Sequence, residues 1–128
     1  MSNNIPKFDN FVCFGDSVEW QYKGFDLKAT IEHDPDINTD DFDCYSKSDI
    51  DRYRNDEWHF GYLKVSASLG EKEFSAEYLG GIEVNFTDNN DYLSDCIKDY
   101  GLDDEVIEGA INSLKELIAK ASDILEAA

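Results

Sequence analysis

Positive charge is what this sequence has least of: 11 Lys and Arg stand against 29 Asp and Glu in 128 residues, a formal net charge of −18. That deficit excludes ordinary phosphate binding, and with it direct binding of nucleic acid, which relies on Lys and Arg. Cysteine is scarce and odd in number, with Cys13, Cys44 and Cys96 far apart, which excludes a disulfide framework and fits a reducing compartment. There is no CxxC spacing, and His33 and His59 are distant in sequence, so no zinc site is expected. No apolar run approaches the roughly 18 residues of a membrane span. Residues Met1 to Asn10 are polar and lack the apolar centre of a signal peptide. The expectation is a cytoplasmic protein with no membrane association. Enzymatic motifs are missing as well: there is no recognisable nucleophile motif, glycine-rich phosphate loop or HExxH pattern, so neither an enzyme nor a cofactor is expected.

What is present argues for a folded domain. Eight Phe, seven Tyr and two Trp, with only two Pro, lift the chain above the composition of disordered acidic segments. A single domain of this length buries about two thirds of its unfolded surface. The charge exceeds the magnitude of about 2 to 8 that keeps a small domain soluble. Its self-repulsion destabilises the compact state, and the compensating gain is steering toward a basic partner at rates of roughly 10⁸–10⁹ M⁻¹s⁻¹.

Hydrophobic periodicity divides the chain in two. From Asp16 to His33, apolar residues alternate with polar ones on either side of Lys23-Gly24, which predicts a β-hairpin. Phe11 to Phe14 reads equally as a short strand or an irregular lead-in, and the first ten residues as irregular. Asp34 to Asp43 is an exposed loop by composition. Ser46 with Asp49 is a capping signal for a short helix ending near Arg54. Two further strands follow. Trp58 to Leu69 places Leu63, Val65, Ala67 and Leu69 on one face, but Trp58, Phe60 and Tyr62 on the other, so either a bulge near Gly61 or burial on both faces is required. Phe74 to Phe86 carries Phe74, Ala76 and Tyr78, then Ile82, Val84 and Phe86, interrupted by Gly80-Gly81, a pair that suggests a bulge.

The last third changes to helical spacing. Tyr92, Leu93, Cys96, Ile97 and Tyr100 form one apolar edge ending at Gly101. Asp103 is then expected to cap a long final helix with the stripe Ile107, Ala110, Ile111, Leu114, Ile118, Ala121 and Leu125. Strands followed by helices predict an α+β fold: an antiparallel sheet of about four strands, covered on one face by the C-terminal helices.

The charge is clustered. Residues 34 to 57 hold Asp34, Asp36, Asp40, Asp41, Asp43, Asp49, Asp51, Asp56 and Glu57 against three basic residues, a balance of −6. Residues 88 to 108 hold Asp88, Asp91, Asp95, Asp99, Asp103, Asp104, Glu105 and Glu108 against Lys98, a balance of −7. Asp91, Asp95 and Asp99 recur every four residues and form one row on the predicted helix. Such a row costs the helix about 0.2–0.5 kcal/mol per pair. Successive carboxylates rise by roughly 6 Å, comparable with the spacing of phosphates along a strand. A surface that sacrifices stability in this way is a candidate for function. The loop from Asp34 to Asp40 also opens like an EF-hand calcium loop. However, Thr39 stands where the sharp turn needs glycine, and Tyr45 where a bidentate glutamate is required.

The window from Tyr22 to Val84, in particular Lys23-Gly24-Phe25-Asp26-Leu27-Lys28-Ala29-Thr30-Ile31-Glu32, Asp43-Cys44-Tyr45 and Arg54-Asn55-Asp56-Glu57-Trp58, resembles small uncharacterised proteins carried by phages and other mobile elements. The resemblance covers about half of the chain. It implies a mobile-element setting, in which acidic proteins of this size often block host nucleases.

The leading expectation is an acidic inhibitor that binds a basic protein which normally holds nucleic acid, such as a CRISPR effector or restriction nuclease, partly by DNA mimicry. The acidic residues of both clusters would meet Lys and Arg, with Tyr45, Tyr53 and Trp58 as exposed aromatic anchors. Two alternatives use the same residues: an immunity protein for a basic nuclease toxin, and a hydrolase or calcium-binding module built on the aspartate-rich loop.

Overall fold

The computed structural model describes residues 4–128. Four strands, β1 (Ser17–Tyr22), β2 (Phe25–His33), β3 (His59–Leu69) and β4 (Lys72–Val84), form one antiparallel sheet in chain order. Helix α1 (Lys47–Arg54) lies between β2 and β3, while α2 (Asp91–Asp99) and α3 (Leu102–Ala127) follow the sheet. This is the α+β arrangement that the periodicity predicts.

The β1–β2 turn places both Lys23 and Gly24 at positive φ, 50° and 87°, the requirement of a two-residue turn matched to strand twist. Register then stacks Leu27 beside Ala67, Ala29 beside Val65 and Ile31 beside Leu63. All six are buried, and they form one core with Leu93 and Ile97 of α2 and Leu102, Val106, Ile107 and Ala110 of α3. Each such fully buried Leu, Ile or Val contributes about 1.5–3 kcal/mol relative to exposure. Helix α3 approaches the sheet closely at Gly109, where a Cβ would collide with the Ser75 side chain.

Strand β3 keeps one phase throughout, so Trp58 and Phe60 owe their opposite parity to burial on both faces. The irregularity lies in β4. Gly61 pairs with Ile82 and Leu63 with Leu79, so two residues of β3 are matched by three of β4, with Gly81 at φ 70° in the bulge. Before it, Ser75, Glu77 and Leu79 align with Ala67, Val65 and Leu63. After it, the even residues Ile82 and Val84 enter the same core. The alternation of Phe74, Ala76 and Tyr78 therefore does not share a face with Ile82 and Val84 across the bulge at Gly80-Gly81. Tyr78 is exposed, and a second irregularity between Ala67 and Ser68 turns Phe74 back toward the core.

The lead-in before β1 has no regular structure, yet Phe8 and Val12 are buried in the core. Two asparagines fasten it. The Asn85 side chain accepts from Val12 N at 3.0 Å and donates to Val12 O at 2.9 Å. Asn90, fully buried, donates to Asn10 O and to Asn85 Oδ1, and accepts from Asn85 N. These bonds satisfy backbone groups that an irregular segment cannot pair within itself.

The final helix begins earlier than expected. Gly101, at φ 67°, both stops α2 and occupies the cap position of α3. Asp103 instead lies inside the first turn and is buried. The stripe also leaves the core early: Ala110 is its last buried member, and Ile111, Ile118 and Leu125 are exposed.

Candidate partner-binding surfaces

The two acidic clusters pack against opposite faces of the sheet. Cluster one begins with the loop after β2. Its aspartates are largely occupied in shaping it. Asp34 accepts from Asp36 N, Asn38 from Asp40 N, and Asp41 from Asn38 N at 2.9 Å, closing a single 3-10 turn over Thr39–Asp41. Ser46 then caps α1 by accepting from Asp49 N at 3.1 Å.

Beneath α1 and this loop is a second, aromatic core. Trp58 is 0% exposed, its indole N–H donates to Asp49 O at 2.9 Å, and its ring lies 4.8 Å from Phe86 and 5.1 Å from Phe60. Tyr45 and Tyr53 pack on Trp58 from either side, each at 5.2 Å. Burial, with the Glu83 carboxylate beside it, pushes the Tyr45 hydroxyl above its ordinary value. The expected exposure of these three aromatics is thereby corrected. Trp58 is wholly internal and Tyr45 and Tyr53 are half-buried, because together they seal the second face of the sheet. Arg52 fastens the same region by donating to Phe86 O at 2.9 Å, and it faces Asp49 and Glu57 at 3.9 Å each. Asp56 is 3.7 Å from His59. The loop's Asp36, Asp40 and Asp43, with Asp51 on α1, are exposed. Among the described residues, no three His, Cys, Asp or Glu side chains converge on a metal-holding position.

Cluster two follows β4. Leu93 and Ile97 turn α2 onto the core, which leaves its opposite side to the aspartate row. Asp91, at the favourable N-terminal end of the helix dipole, pairs with Lys7 at 3.2 Å. Asp88, Asp95 and Asp99 are exposed, and among the described residues none has an ion pair. Asp104 accepts from the Tyr22 hydroxyl at 2.8 Å and lies 3.8 Å from Lys23. Glu105 and Glu108 are exposed. Asp103, 5% exposed, is buried within the first turn of α3.

Tyr100 is the aromatic that periodicity misplaced. Helical spacing groups it with the buried edge of α2, but it is 63% exposed, directly after Asp99. It stands at the C-cap of α2, immediately before Gly101. Its place beside a helix-stopping glycine was the available signal.

The clusters are nevertheless anchored to consecutive residues at the end of β4. Asn85 holds α2 through Asn90, and Phe86 holds α1 through Arg52. Comparison with protein-family models, curated proteins and solved structures yields no match. The architecture itself, a four-stranded antiparallel meander with a helix pair on one face and a short capped helix on the other, defines an α+β protein. Among the described residues, no helix is long and apolar enough to cross a membrane.

Proposed function

We propose that this protein is an acidic inhibitor that occupies the basic groove of a nucleic-acid-binding protein through the outer side of α2. One observation carries the reading: Asp95 and Asp99 sit one helical turn apart, exposed and without an ion pair among the described residues, while much of cluster one is spent on turns and on Arg52. Carboxylates already ordered on a helix at roughly 6 Å intervals meet lysines and arginines that otherwise hold phosphates. Tyr100 supplies the aromatic contact beside them. In the setting implied by the sequence resemblance, the target is a host defence complex such as a CRISPR effector or restriction nuclease, met in the cytoplasm. Three free cysteines, two of them exposed, suit that reducing compartment.

Capture of host proteins on the purified chain tests the reading. An Asp95→Asn, Asp99→Asn variant should lose basic nucleic-acid-binding proteins at least about tenfold, or about 1.4 kcal/mol. An Asp36→Asn, Asp40→Asn, Asp43→Asn variant should retain most capture. Duplex DNA should compete for the captured protein, and rising salt should weaken it as charges are screened. If neither variant alters capture of any such protein, charge mimicry is wrong.

A further inference from the structure

The second half of α3 stands largely clear of the fold, with Leu117 and its neighbours lining a groove beside Lys72 and Phe74 at the start of β4. From Lys115 to Ala128 every residue is exposed, about 21 Å of helix at 1.5 Å per residue. Isolated helices of this length are marginal in water, yet this one carries a continuous apolar stripe. Ile111, Leu114, Ile118, Ala121, Leu125 and Ala128 alternate spacings of four and three, the period of a two-helix seam. Leu117 and Ile124, seven residues apart, widen it on one side. Ile118 is 58% exposed, Ile124 69% and Leu125 76%.

We propose that this stripe docks against the same stripe of a second copy, in antiparallel orientation. Charge selects the occupant. Residues 113 to 128 hold Lys115 and Lys120 against Glu116, Asp123 and Glu126, a balance of −1, so the remaining residues carry −17 of the −18. A basic partner has little to attract it to this strip, whereas two copies of so acidic a chain approach each other more easily along an apolar strip of low charge. Charge also selects orientation. An antiparallel pair sets the stretch holding Lys115 against that holding Asp123 and Glu126 of the other copy, and leaves the two acidic sheets at opposite ends. A parallel pair would bring both −17 bodies side by side. The packing agrees: antiparallel layers join Ile118 to Ala121 and Ile111 to Ala128 of the second copy, with Leu117 beside Ile124 and Leu125 reaching the open edge of Leu114, which is half-buried against the core.

The proposal is independent of the function assigned to α2, and salt separates the two. Sedimentation equilibrium of the full chain, from low to high micromolar, should show the mass rising from 14.6 kDa toward twice that value. Added salt should strengthen the dimer by screening the two bodies, the reverse of its effect on capture of a basic protein. Ile118→Glu with Leu125→Glu should abolish dimerisation, while near-ultraviolet circular dichroism shows the sheet core intact. With the three native cysteines replaced by serine, Ile118→Cys copies should cross-link to Ala121→Cys copies in preference to their own kind. A monomer at all concentrations, a dimer that survives the double glutamate variant, or preferential self-cross-linking would each overturn the proposal.

Discussion

At the scale of single residues, buried polar groups decide more than the abundant surface charge. Asn90 is fully buried and holds the lead-in, Asn85 and the start of α2 together. Asn90→Ala leaves those backbone groups without their partner in a place water does not reach. It should cost about 1–3 kcal/mol, measured as a lower urea midpoint with an unchanged slope. Tyr45, Tyr92 and Cys96 share a second residue-scale property. Burial is the main cause in all three, pushing each proton's release above the ordinary 10.0 for the tyrosines and 9.0 for the cysteine. As pH rises, the unfolded chain ionises first, so this contribution is complete below about pH 9 and declines above it. Urea unfolding between about pH 8 and 11 should show that decline, and Tyr45→Phe with Tyr92→Phe should flatten it. An identical slope in the double variant would refute the assignment.

At the scale of elements, the aspartate row on α2 sets stability against binding. Asp95 stands one turn from both Asp91 and Asp99, so Asp95→Asn removes two like-charge pairs. It should raise the unfolding free energy by about 0.4–1 kcal/mol while weakening partner capture; a variant that is both less stable and weaker in capture would indicate a structural role instead. The α2 boundaries, the Ser46 cap and the β1–β2 turn were legible because each depends on neighbours within a few residues. The phase of β4 was not, because it depends on which residue of β3 faces which residue across a bulge. Trp58 was misplaced for a similar reason: the alternation around it shows that it opposes Leu63, but only α1 and a distant loop decide that the opposite face is covered. Asp103 was misplaced because Gly101, in a left-handed conformation, both ends α2 and caps α3, so the final helix starts at Leu102 and takes Asp103 into its first turn.

At the scale of the whole molecule, charge and apolar surface are separated. The sheet carries an acidic helix on one face and an acidic loop on the other, and the exposed apolar end of α3 carries little net charge. On the two proposals, one molecule would present α2 to a basic partner while α3 engages a second copy, because the two contacts would use different chemistry and opposite salt dependence. The bulge at Gly80-Gly81 has a consequence of another kind. Around it strand β4 is written in two frames, Ser75, Glu77 and Leu79 aligned with the inward residues of β3 before the bulge and Ile82 and Val84 after it, and the extra residue keeps both in register. Deleting Gly81 would restore a continuous strand and turn Ile82 and Val84 toward the face covered by the aromatic cluster while sending Glu83 into the opposite core. That single deletion should abolish cooperative unfolding and near-ultraviolet signal, whereas substitutions at the exposed Tyr78 should change stability by no more than about 0.5 kcal/mol. Along this strand, the protein tolerates changes of letter far better than changes of length.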